Sequence, residues 1–131
     1  MIYDLYVSLY RIFRTGIDHD FNKLLGGNRF YQDEIPQGII SFPCAVYNFI
    51  SESNAGIISS NSGYFTFQIR CVASSVEEKA KIVDACRDMF NDAIISDERC
   101  AGVIYLISSN NIQRLSVDHP FEVTLTFQVY L

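Results

Sequence analysis

Tyr64-Phe65-Thr66-Phe67-Gln68-Ile69-Arg70-Cys71-Val72-Ala73, followed at once by Ser74-Ser75-Val76-Glu77-Glu78, is the stretch that decides the fold class. Phe65, Phe67, Ile69 and Cys71 fall at alternate positions, with Tyr64, Thr66, Gln68 and Arg70 between them. That spacing predicts a strand with one apolar and one polar face. The period then changes. Ser75 followed three residues later by Glu78 is a capping box: the serine oxygen takes an orphan N–H of the first helical turn, and the glutamate reaches back. The helix so opened is predicted to run to about Ile95, with Val76, Ala80, Val83, Cys86, Phe90 and Ala93 facing inward.

Outward from this unit, Ala101–Ser108 and Phe121–Leu131 read as two more strands. The last is the clearest, with Phe121, Val123, Leu125, Phe127 and Val129 inward and Glu122, Thr124, Thr126 and Gln128 outward. Toward the N-terminus, Cys44–Ile50 is an apolar run. Pro43 just before it has no N–H for a ladder and belongs at a strand's beginning or edge. Arg29–Asp33 is a short strand, separated from that run by a turn at Pro36-Gln37-Gly38. Residues 51–63, rich in Ser, Asn and Gly around Ile57-Ile58, read as a long hairpin connection. Residues 2–14 carry Leu5, Leu9, Ile12 and Phe13 at helical spacing, and Ile2, Tyr6 and Tyr10 on a second row. Apolar and Tyr surface thus exceeds the ~100° stripe of a simple surface helix, so this helix is nearly buried or meets another chain. Gly16 ends it, and a polar connection runs to Gly26-Gly27-Asn28. The order is α-β-β-β-α-β-β, which implies an α+β fold: an antiparallel sheet with two helices packed on one face.

The chain has 131 residues, enough for one domain spanning 1–131. It is 49% hydrophobic and 19% charged, a composition incompatible with intrinsic disorder. The mean hydropathy of +0.12 is high for a soluble monomer, so part of the apolar surface is expected to serve a partner. A net charge of −5 argues against phosphate backbones and anionic membranes as the main target. No run approaches the ~18 apolar residues of a membrane span, and Asp4 stands where a secretory leader carries cations. Cys44, Cys71, Cys86 and Cys100 lie within or beside apolar runs, and are expected as reduced core residues.

Catalytic and metal motifs are not found, so no cofactor, metal site or enzymatic activity is expected. Asp18-His19-Asp20 reads as a solvated loop, and Asp118-His119 as a turn before Pro120. The second helix is more informative. Asp84, Asp88 and Asp92 fall at i, i+4 and i+8, where like charges repel and oppose the helix dipole. They form either a solvated face or an acidic surface turned to another subunit's basic residues or to a DNA conduit.

Asn28-Arg29-Phe30-Tyr31, Ile35-Pro36-Gln37-Gly38, Ser41-Phe42-Pro43 and Ala45-Val46-Tyr47, in that order and spacing, resemble the tail-completion, or tail-terminator, proteins of long-tailed bacteriophages and prophage-derived particles. The residue-level match is confined to 28–47, while the layout matches throughout; Cys44, where the family tends to carry Tyr, and the longer 51–63 loop depart from it. The resemblance implies a non-catalytic virion protein of the tail and neck, assembled in the host cytoplasm. It implies a hexameric ring that caps the tail tube protein, meets the head connector or stopper, and lets DNA pass without binding it. Tyr3, Tyr6, Tyr10, Arg29, Gln37, Ile57 and Ile58 are then expected at subunit or tail contacts, and Asp84, Asp88 and Asp92 at the lumen. The other readings are a neck or head-completion adapter and, from a different class, a small cytosolic α+β ligand-binding dimer.

Overall fold

The computed structural model describes residues 2–36, 41–54, 63–97, 100–112 and 121–130. Among these residues, three helices, α1 (Ile2–Thr15), α2 (Asp20–Leu24) and α3 (Val76–Phe90), accompany six strands. These are β1 (Phe30–Gln32), β2 (Cys44–Asn54), β3 (Gly63–Ala73), β4 (Ile94–Asp97), β5 (Cys100–Ile112) and β6 (Phe121–Tyr130). They form one sheet in the order β1-β2-β3-β6-β5-β4. The fold is α+β.

The alternation read along residues 64–73 and 121–129 holds in space. Phe65 pairs with Val129, Phe67 with Phe127, Ile69 with Leu125 and Cys71 with Val123, all on the face that the helices cover. Leu5, Leu9 and Phe13 of α1 and Ile82, Cys86 and Phe90 of α3 complete the same core without exposure. Aromatic rings carry it across elements: Phe30 stacks on Tyr47 at 4.5 Å and on Phe13 at 4.7 Å, and Phe67 on Phe127 at 5.3 Å. Phe90 bridges Phe30 at 5.8 Å to Phe127 at 6.1 Å.

Four expectations are corrected. First, α3 ends at Phe90 rather than near Ile95. Asn91 adopts an extended backbone and Asp92 a left-handed one (φ 65°), conformations their short polar side chains tolerate, so the chain turns into β4. The turn is fixed to β5, where Asp92 N–H donates to Ile104 O (2.8 Å) and Leu106 N–H to Asn91 Oδ1 (2.9 Å). Second, the inward row of α3 is Ile82, Ala85, Cys86, Met89 and Phe90; Val76 and Ala80 are exposed, and Val83 is half-buried against the core. Val76 and Ala80 fall on the side of the helix turned away from that row.

Third, β1 pairs with β2 in parallel, Phe30 against Ala45 and Gln32 against Tyr47; the other pairings are antiparallel. The connection between these two strands returns the chain to the end where β1 started. Fourth, the polar connection after α1 contains α2. His19 Nδ1 accepts from Phe21 N–H (3.1 Å), Phe21 and Leu25 are buried, and the Asn22 side chain donates to Phe13 O, a carbonyl near the end of α1, at 2.8 Å. Its five residues with one buried apolar side chain are too short for a period to show.

Helix α1 lies between the two sheet edges. One side of it borders Gln32 and Tyr47, and the other borders Ile94, Ile95 and Ser96 of β4. The sheet is therefore curled, with α1 closing the gap.

Candidate interaction surfaces

Tyr3, Val7, Tyr10 and Arg14 occur at i, i+4, i+7 and i+11 and so share one line along α1. Leu5, Leu9 and Phe13 take the opposite side. Tyr3 is 77% exposed and Tyr10 39%, while Val7 is half-buried. Arg11 flanks this line and is exposed. A groove of about 390 Å³ opens beside it, lined by Tyr6, Tyr10, Arg11, Arg14, Gln32 and Tyr47. Two arginines and no carboxylate line it among the described residues.

Tyr6 is the groove's inner wall. Its hydroxyl accepts from Phe49 N–H at 2.8 Å and donates to Asp33 Oδ1 at 2.9 Å, and its ring meets Tyr47 edge-on at 5.5 Å. Burial raises its phenol pKa above the usual value, and burial pushes Tyr47 up to about 12. Both phenols are neutral at physiological pH.

Arg29 is turned inward. Its Nε donates to Pro43 O at 2.8 Å and its Nη2 to Leu24 O at 3.1 Å, which ties the end of α2 to the start of β2. Gly26, at φ 64°, packs against that guanidinium: a Cβ there would stand 2.7 Å from Nη1. Gln37, Ile57, Ile58 and His119 lie outside the described residues.

The acidic residues separate. Asp84 and Asp88 are exposed on α3 and, with Asp20, border a second groove of about 420 Å³ whose floor includes Leu24 and Ala85. Lys23 and Lys81 also border it, and Lys81 is paired with Glu77 at 3.1 Å. Asp92 stands in the turn beyond the helix, so the three acids do not form one helical line.

The sheet's outer face holds what sequence reading missed. Glu122, expected outward, is only 1% exposed, with Oε1 3.0 Å from Arg70 Nε. At the β4 edge, Ile94 (71%), Tyr105 and Ile107 (both 52%) are exposed. Ile107 is the unpaired residue of the β5 irregularity between Leu106 and Ser108. The alternating pattern marks such a face, but no local signal tells whether something covers it.

Chemistry that would need an activated nucleophile finds no support in the thiols. Burial pushes Cys44 up to about 11, partly opposed by the Arg29 charge, and holds Cys86 well above its usual range beside Cys71. All three are free and buried. No group of His, Cys, Asp and Glu among the described residues could hold a metal ion, and none of their helices is long and apolar enough to cross a membrane.

The chain is similar to one in a structure described as "Virion of native gene transfer agent (GTA) particle". The TM-score is 0.73 at 16% identity, and the match covers 95% of this chain and 91% of that one. Similarity at that identity shows a shared fold. No family model matches the chain, and no curated protein does.

Proposed function

We propose that this chain is a non-catalytic structural subunit of a phage-like particle. One observation carries the reading: nearly the whole chain superposes on nearly the whole of a chain from a virion. A match of 95% against 91% leaves little room for a shared motif embedded in an unrelated protein. The finer assignment rests on the resemblance at residues 28–47. In it, residues 1–131 act as one domain that forms a hexameric ring in the neck, ends the tail tube and meets the head connector or stopper. Assembly takes place in the host cytoplasm, and DNA crosses the lumen without specific binding. The net charge of −5 suits that passage, since bound phosphates would hold the genome in place.

The test is deletion of the gene in a particle-producing cell, with gold-labelled antibody on wild-type particles. Terminator function predicts label at one point between tail and head, and in the deletion tail tubes of unregulated length without heads. Label at the neck with tails of normal length in the deletion would instead favour the adapter reading. Particles without label would remove the virion assignment.

A further inference from the structure

We propose that the outer line of α1 in one copy seats in the α2–α3 groove of the next copy, with Arg14 and Arg11 set against Asp84 and Asp88. The inference rests on the ring reading and adds which two surfaces meet.

Three observations point to a second copy as the occupant. The first is charge. Among the described residues the α1 groove has two arginines and no carboxylate in its lining, whereas Asp20, Asp84 and Asp88 outnumber Lys23 and Lys81 around the other groove. Lys81 is moreover paired with Glu77 at 3.1 Å. The second is spacing. Side chains three or four positions apart on a helix stand roughly 5–6 Å from each other, so an i, i+3 arginine pair matches an i, i+4 aspartate pair. Two aspartates at i, i+4 repel each other, and Asp88, in the last turn of α3, also opposes the dipole, a cost that arginines from outside remove.

The third is shape. The α1 line projects Tyr3 and Tyr10, which are 77% and 39% exposed, beside its arginines. The receiving groove, of about 420 Å³, has apolar floor at Leu24 and Ala85. Aromatic and arginine anchors over a small apolar floor are the usual make-up of an interface centre. The two surfaces share no residue: one is the outer line of α1, and the other is bordered by residues of α2 and α3. A contact between unlike patches is heterologous: it repeats from copy to copy and closes into a ring when the rotation permits. The charges set orientation and register more than affinity.

Disulfide trapping tests the contact, on purified protein at high concentration and on intact particles. A chain carrying both Arg14→Cys and Asp88→Cys is expected to give a ladder of crosslinked species on oxidation, while each single variant stays monomeric. Charge reversal supplies the second measurement in particles. Arg11→Glu with Arg14→Glu, or Asp84→Lys with Asp88→Lys, is expected to cause loss of ring incorporation, and the four changes together to restore it. Absence of a ladder in particles that contain the protein overturns this contact and leaves the virion reading standing. Crosslinked homodimers from a single variant overturn it too, because they show a like-to-like contact. So does crosslinking of the Asp88→Cys variant to a different particle protein, which gives the groove another occupant. Absence of the chain from particles overturns the functional reading instead, and is scored by mass spectrometry of the same material.

Discussion

Arg29 joins three segments through backbone carbonyls, from the end of α2 to the residue before β2. Replacing it with Ala leaves Pro43 O and Leu24 O without charged donors in a half-buried site. The expected loss is about 2 kcal/mol, since hydrogen bonds to charged groups contribute ~1.5–3 kcal/mol. Arg29→Lys should recover less than half of it, because a single ammonium cannot serve two separated acceptors as a planar fork does. The urea midpoint at unchanged slope measures both. Titration belongs to this scale as well. Cys44 is raised from 9.0 to about 11 and Tyr47 from 10.0 to about 12, and burial is the largest cause for each. A raised acid pKa means that the fold favours the protonated form. Its contribution is whole below pH 9, where both states hold their protons, and is lost as pH climbs and the unfolded chain ionises first. Stability should therefore be level through neutral pH and fall between about pH 9 and 12. Cys44→Val should flatten the lower part of that fall and Tyr47→Phe the upper part, read as urea midpoint against pH. Cys86, shifted in the same direction, keeps the lower part from vanishing.

Among the elements, α3 shows how far local rules reach. Ser75 Oγ accepts from Glu78 N–H at 3.1 Å, and Glu78 Oε1 accepts from Ser74 N–H at 2.8 Å and from its hydroxyl at 3.0 Å. The cap is legible because all its parts lie within five residues. Ser75→Ala should cost about 1 kcal/mol in thermal or urea unfolding; Ser75→Asp should be nearly neutral. The other end was not legible. Ala93, Ile94 and Ile95 continue an apolar pattern that a helix could use, and the chain turns because Asn91 and Asp92 find partners on β5. Those partners lie on a later strand, beyond any window of periodicity. The same limit hid α2, whose only strong sign is Phe21, and the parallel pairing of β1, whose three residues carry no mark of direction.

Across the whole molecule, the aromatic chain is the common support. Phe90 touches Phe21, Phe30 and Phe127 and so joins α2, β1 and β6 to α3. Phe90→Ala should remove about 3–5 kcal/mol, enough to leave a small domain marginal, whereas Tyr3→Ala on the open side of α1 should leave the thermal midpoint almost unchanged. Of the residues expected at contacts, Tyr3 and Tyr10 stand open on one helix line, while Tyr6 and Arg29 are engaged within the fold. Their residue types are equally able to do either. Which one each does depends on Phe49, Asp33, Pro43 and Leu24 arriving beside them.

The sequence alone determined the class of the fold, the alternating faces of β3 and β6, the capped start of α3 and the buried row of α1. Each of these is written in the spacing of neighbouring side chains, where backbone geometry repeats every two or 3.6 residues. Tertiary structure decided the direction of β1, the burial of Glu122 against Arg70, the end of α3 and the separation of Asp92 from Asp84 and Asp88. Those outcomes depend on which distant groups meet, and contact between remote segments leaves no period in the chain.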